Sequence, residues 1–219
     1  MLINNAGILR DKSFTKMTHE EWHSVIDVHL NGTFSLCHAA WQHMVQNRYG
    51  RIVNIGSGAG LYGNFGQANY SAAKMGILGL TNTLAIEGEK YNILANCVVP
   101  VAASRMTETV LPASLLPLLD PQQVVPIVSY LASDACQQSG SCFEVGGGWF
   151  SQVRIQRSRG VHLAGTSAED IARNIAAIGD FSVDATYPTS PADAIKVIAN
   201  PSDAAKGGWV GRTERTSFI

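Results

Sequence analysis

The sequence carries almost no excess of charge: 16 Lys and Arg stand against 17 Asp and Glu, a formal net charge of −1. Such a balance gives no electrostatic case for nucleic acid or an anionic membrane as a general partner. No apolar run approaches the ~18 residues that span a bilayer, and no charged-then-apolar leader opens the chain. Cys37, Cys97, Cys136 and Cys142 lack metal-ligand spacing and sit mostly among apolar neighbours. They read as reduced core thiols in a reducing compartment. Internal repeats and low-complexity tracts are also missing. What is present is apolar material, 46% of 219 residues, enough for one sizeable core.

The punctuation predicts strands alternating with helices. Thr18-x-x-Glu21 is a capping box, opening a helix predicted to run to about Gln46 with Trp22, Ile26, Leu30 and Phe34 at helical spacing. A buried strand follows at Arg51–Ser57, then a glycine-rich loop from Gly58 to Gln67. A second long helix begins at Asn69 or Ser71 and reaches about Lys90. Ile93–Val99 is a continuous apolar strand closed by Pro100. A short helix around Met106–Leu111, a helix over Gln122–Ala132 and a last sheet strand at Cys142–Val145 complete the pattern. Strands apolar throughout argue for a parallel sheet covered on both faces. Beyond Gly148 the character changes: an edge strand at Gln152–Gln156, helices at Ile171–Ile178 and Ala194–Ala199, and a polar tail from Asn200.

Tyr70 and Lys74 are the chemistry-bearing pair. One turn apart on a helix, they share a face with Cβ atoms about 5–6 Å apart. An ammonium fixed beside a phenol favours the phenolate, so the pair predicts a Tyr70 pKa below its usual ~10 and a proton donor and acceptor usable near neutrality. Ser57, at the end of its strand, delivers a hydroxyl toward the same place. His19-Glu20-Glu21-Trp22-His23 offers a competing pattern, that of a zinc protease, with His29 as a third ligand. In a continuous helix His29 lies about 15 Å along the axis from His19, so three nitrogens cannot converge on one zinc. No metal is expected.

Ser57, Tyr70 and Lys74, with Asn4-Asn5-Ala6-Gly7 and Asn96-Cys97-Val98-Val99-Pro100, resemble the short-chain dehydrogenase/reductase family. The resemblance implies a doubly wound parallel Rossmann-type sheet and a Ser-Tyr-Lys mechanism with NAD. Ser57 would orient the substrate oxygen, Tyr70 would exchange its proton, and Lys74 would lower the Tyr70 pKa and hold the nicotinamide ribose. Asn5 and Gly7 would line the cofactor groove, and Pro100 and Ser104 would lie near the carboxamide. The glycine-rich turn of such folds is expected ahead of Asn5, and none occurs there. The resemblance therefore implies a sheet lacking its first strands and that turn. His29 stands where many members carry asparagine; the plain reading, a satisfied helix histidine, stands beside any catalytic one. Val101-Ala102-Ala103 replaces a glycine usual near that proline.

Leu61 to Lys74, Ser104 to Val110 and Phe143 to Trp149 are similar to the branch acting on (3R)-hydroxyacyl-CoA thioesters. A hydroxysteroid or other secondary alcohol is the second substrate class. The implied organisation is a partial catalytic domain at 1–149, a dimerisation appendage at 150–199 and a disordered tail at 200–219. The expected partners are a small-molecule substrate and a second copy of the chain, with neither nucleic acid nor membrane. The expected setting is the cytoplasm, or the peroxisome in a eukaryote. The alternative from another class is an inactive fragment that binds no cofactor and keeps only its dimer-forming surfaces.

Overall fold

The computed structural model describes residues 1–103, 114 and 116–199. The chain divides into two units, 1–153 and 154–219. The first is built on a five-stranded sheet in the order β1 (Leu2–Asn4), β2 (Gly50–Ile55), β3 (Ile93–Pro100), β4 (Cys142–Gly146) and β5 (Trp149–Val153). The first four strands run parallel, with Ile52 opposite Ala95 and Cys97 opposite Cys142, and β5 turns back antiparallel on β4.

Alternation along the buried strands sorts the core into two faces. Ile52, Ile93 and Ala95 pack with Cys37 and Met44 of α2 (Gly32–Asn47) and Ala85 of α4 (Ala68–Gly88). Val53, Val98 and Val145 face the other way, against Leu131 and Ala132 of α5 (Val125–Ala132) and Cys136. Helices thus cover both faces, as the uninterrupted apolar strands predict. All four cysteines are buried free thiols.

The first long helix departs from the simple periodic reading. Its capping box at Thr18 and Glu21 forms, and α1 runs from His19 to Ile26. Asp27–Asn31 then adopts a π-helical turn before α2 continues. One wide turn rotates every later side chain relative to a regular helix, so a strict 3.6-residue stripe cannot hold across it. Phe34, placed on the apolar stripe by periodicity, is instead 52% exposed.

Two further segments differ from expectation. The glycine-rich stretch after Ser57 contains a short helix, α3 (Gly58–Tyr62), because the Ser57 hydroxyl accepts from the Ala59 amide at 3.2 Å and starts the turn. The edge strand lies at Trp149–Val153 rather than Gln152–Gln156, since the Gly147-Gly148 hairpin, both at positive φ, reverses the chain earlier. The helix expected at Met106–Leu111 lies outside the described residues.

In the second unit, α6 (Ala168–Ile178) begins at a Ser167–Asp170 capping box and α7 is Ala192–Ala199. Arg157 and Thr186 pair as an isolated antiparallel bridge, and Arg154 stacks 4.3 Å from the Tyr187 ring centroid.

Candidate active site

Parallel α/β sheets gather their chemistry where strands end at their carboxyl edge, and the candidate residues follow that rule. Asn5 and Gly7 follow β1, Ser57 follows β2 and Pro100 closes β3. Ser104 lies outside the described residues. Tyr70 and Lys74 come from the first turns of α4, whose start is fixed by fully buried Asn69. Its amide nitrogen donates to the carbonyls of Arg10 (3.1 Å) and Glu21 (3.0 Å), while its oxygen accepts from the Tyr70 amide at 2.8 Å. Sequence reasoning assigned Asn69 no such part. The signal was a polar side chain one residue before Tyr70, indistinguishable in sequence from an ordinary helix start.

At the centre, Ser57, Tyr70 and Lys74 are brought together. The Ser57 hydroxyl stands close enough to the Tyr70 phenol to lower its pKa, and the Lys74 Nζ lies 5.4 Å from the Tyr70 ring centroid. Lys74 is buried, 6% exposed, and donates to the Ile55 carbonyl at 2.7 Å, tying the helix to the end of β2. Burial lowers its pKa from 10.5 to about 8. Gly60 makes the close approach possible. A Cβ there would stand 2.9 Å from the Lys74 Cβ and 3.0 Å from its backbone.

One electrostatic expectation is corrected. Burial pushes the Tyr70 phenol above its ordinary value, against the opposing effect of the Ser57 hydroxyl, and Asp11 adds to the rise. Lys74, lowered to about 8, has lost its charge by the pH at which so raised a phenol ionises. In this state Tyr70 is a protonated phenol at neutral pH.

Gly7 is explained by what lies against it. A Cβ at this position would come 2.6 Å from Cε1 of the His29 ring. His29 is 3% exposed and sits in the π-helical turn, where Ile8 partners it. Its ring meets that of Tyr70 edge-on, with centroids 5.1 Å apart. Periodicity could not foresee this, because the wide turn sets the direction of the side chain. His19 and His23 are exposed on α1, away from that slot.

A nicotinamide cofactor is compatible with this donor set. Lys74 has three N–H donors and, among the described residues, one protein acceptor, Ile55, so it can also hold paired hydroxyls of a ribose. Asn5 and Gly7 are exposed at the same carboxyl edge of the sheet.

Comparison with known proteins gives the same class. The family described as short chain dehydrogenase matches residues 1–113. Peroxisomal multifunctional enzyme A of Dictyostelium discoideum is 49% identical over 198 residues, which is 90% of this chain and 45% of that protein. Acetoacetyl-CoA reductase of Shinella zoogloeoides is 41% identical over 162 residues, 68% of this chain and 67% of that one. The structure of full-length peroxisomal multifunctional enzyme type 2 from Drosophila melanogaster superposes with a TM-score of 0.84 at 38% identity, covering 94% of this chain and 38% of that one. This chain therefore spans less than half of the first of these relatives. With the match reaching across half of its length and the sheet topology to support it, the chain belongs to the short chain dehydrogenase family of oxidoreductases.

Proposed function

We propose that the chain carries the catalytic part of a dehydrogenase for a secondary alcohol, best a (3R)-hydroxyacyl-CoA, with NAD as the hydride partner. The observation that carries this reading is the Ser57–Tyr70 hydroxyl pair at the end of β2, with a buried ammonium beneath it. The thioester assignment draws on the substrate named for the reductase relative and on the multifunctional-enzyme relatives.

The residues divide the work by chemistry. Ser57 donates a hydrogen bond to the substrate oxygen and holds it beside the phenol. Tyr70, protonated at neutral pH, delivers its proton to that oxygen in reduction and takes it back in oxidation. Lys74 holds the ribose hydroxyls, and its charge favours the phenolate once its ammonium is drawn toward the cleft. The nicotinamide, when bound, supplies or accepts the hydride. Asn5 and Gly7 would line its groove, with Pro100 near the carboxamide. Preorganised donors around the oxygen that gains negative charge supply much of the rate enhancement.

A homodimer formed through exposed apolar faces and a peroxisomal or cytoplasmic setting belong to the same reading. Titration of NADH fluorescence with the purified chain tests it. Saturable binding, followed by hydride transfer with a (3R)-hydroxyacyl-CoA that is lost in Tyr70→Phe, is the expected outcome. No binding up to millimolar cofactor would overturn it and leave a non-binding, dimer-forming fragment.

A further inference from the structure

Cys97 and Cys142 stand directly opposite each other on the parallel strands β3 and β4. Matched positions on neighbouring strands face the same side of a sheet, and these two pack with Val99 and with Leu78 of α4. They are 1% and 5% exposed. Adjacent strands run about 4.8 Å apart, within the roughly 4.4–6.8 Å between Cα atoms that a disulfide spans. Cys37 and Cys136 belong to other clusters, and each is the sole cysteine of its own.

The two thiols sense each other. The neighbouring Cys97 thiol holds Cys142 below the ordinary thiol value, while proximity to Cys142 and burial push Cys97 up. A thiolate therefore forms more readily on Cys142, which is also the less buried of the two. Cys97 in turn touches the backbone that carries the site. A Cβ on Gly56 would stand 2.8 Å from the Cys97 Sγ. Gly56 separates Ser57 from Ile55, whose carbonyl holds the Lys74 ammonium, and its amide donates to the Val98 carbonyl at 2.7 Å.

We propose that Cys97 and Cys142 are a thiol–disulfide pair, oxidised by hydrogen peroxide, whose closure loosens the Ile55–Ser57 segment. Burial this deep admits only a small oxidant, and hydrogen peroxide is little larger than water. The Cys142 thiolate attacks one peroxide oxygen. An S–O bond forms, the O–O bond breaks, and the departing hydroxide takes up the proton that Cys142 released. The Cys97 sulfur then displaces the sulfenic hydroxyl. The S–S bond forms, the S–O bond breaks, and the Cys97 proton leaves with the hydroxide as a second water. Two thiols give up two electrons, and one peroxide becomes two waters. Closure draws the Cys97 sulfur toward β4 and off Gly56, removing the packing that holds the end of β2.

The test is to treat the native chain with hydrogen peroxide, denature it in N-ethylmaleimide and map its peptides by tandem mass spectrometry. A Cys97–Cys142 link, with Cys37 and Cys136 alkylated, is the expected result. Four alkylated cysteines, or links to Cys37 or Cys136, would overturn the proposal. Cys97→Ser should stop the reaction at a sulfenic acid on Cys142 that dimedone captures; a Cys142 left unoxidised in that variant counts against its role as the attacking thiol. Exchange of the Gly56 amide should quicken about tenfold in the linked chain, as expected of a local opening, and slow again with dithiothreitol. An unchanged rate would refute the loosening. The link forms or fails whether or not the chain binds NADH, so its failure is separate from that of the dehydrogenase reading.

Discussion

Lys74 keeps an ammonium group in a place that disfavours charge. Its pKa falls from 10.5 to about 8, so between those values the unfolded chain holds more protons than the folded one. Stability should then rise with pH through that window, and the full cost applies below pH 8. The difference is on the order of 3 kcal/mol. Urea unfolding at pH 8 and pH 9.5 should show the rise in the native chain and its absence in Lys74→Met. Tyr70 has the opposite tendency. Its phenol is raised, so the proton-donating form persists through neutrality. Reductive turnover should therefore hold from pH 7 to 9 and decline only at higher pH, as read from initial rates. A decline centred below pH 9 would show that the phenol is not held in its protonated form.

Elements hold the candidate groups in register through close approach rather than through long side chains. The short helix α3 crosses α4 at Gly60 and Lys74, and Ser57 both ends β2 and caps α3. Gly60→Ala would put a methyl group 3.0 Å from the Lys74 carbonyl carbon and the Met75 amide nitrogen. Backbone cannot yield as a flexible side chain can. The helices should be pushed apart at a cost of about 1–3 kcal/mol, partly offset by the better helix propensity of alanine. Thermal unfolding should report the loss, and a variant as stable as the native chain would show that the crossing is looser than described. Behind the site, Asn4 donates to Asn54 at 2.7 Å and Asn54 to Thr81 at 2.9 Å, linking β1, β2 and α4 through buried polar groups. Such a chain fixes strand against helix more uniquely than apolar contacts would.

For the whole molecule, the outer surfaces of the helices that cover the sheet remain strongly apolar. Phe34 and Leu36 on α2 are 52% and 53% exposed, and Ile86 on α4 is 69% exposed. With a net charge of −1, little electrostatic repulsion opposes association of like copies. The chain should therefore sediment as a dimer at micromolar concentration, and Phe34→Glu should shift it toward monomer with its circular dichroism unchanged. A native chain that sediments as a monomer at that concentration would rule out the homodimer.

Much of this was legible in sequence because it depends on local patterns. Uninterrupted apolar strands gave the two-sided parallel sheet, Thr18 and Glu21 gave a helix start, and Ser57, Tyr70 and Lys74 gave the cluster. Local patterns could not give the direction of His29, which a π-helical turn sets, or the slot that Gly7 leaves for its ring. They could not give the double anchoring of Asn69 to Arg10 and Glu21, distant in sequence. They also misjudged the electrostatics of Tyr70. Sequence spacing measures how near two side chains stand on a helix, whereas a pKa depends on the solvent that the rest of the fold removes. The residue types and their order therefore determined the chemistry on offer, and the packing of distant segments decided its protonation and aim.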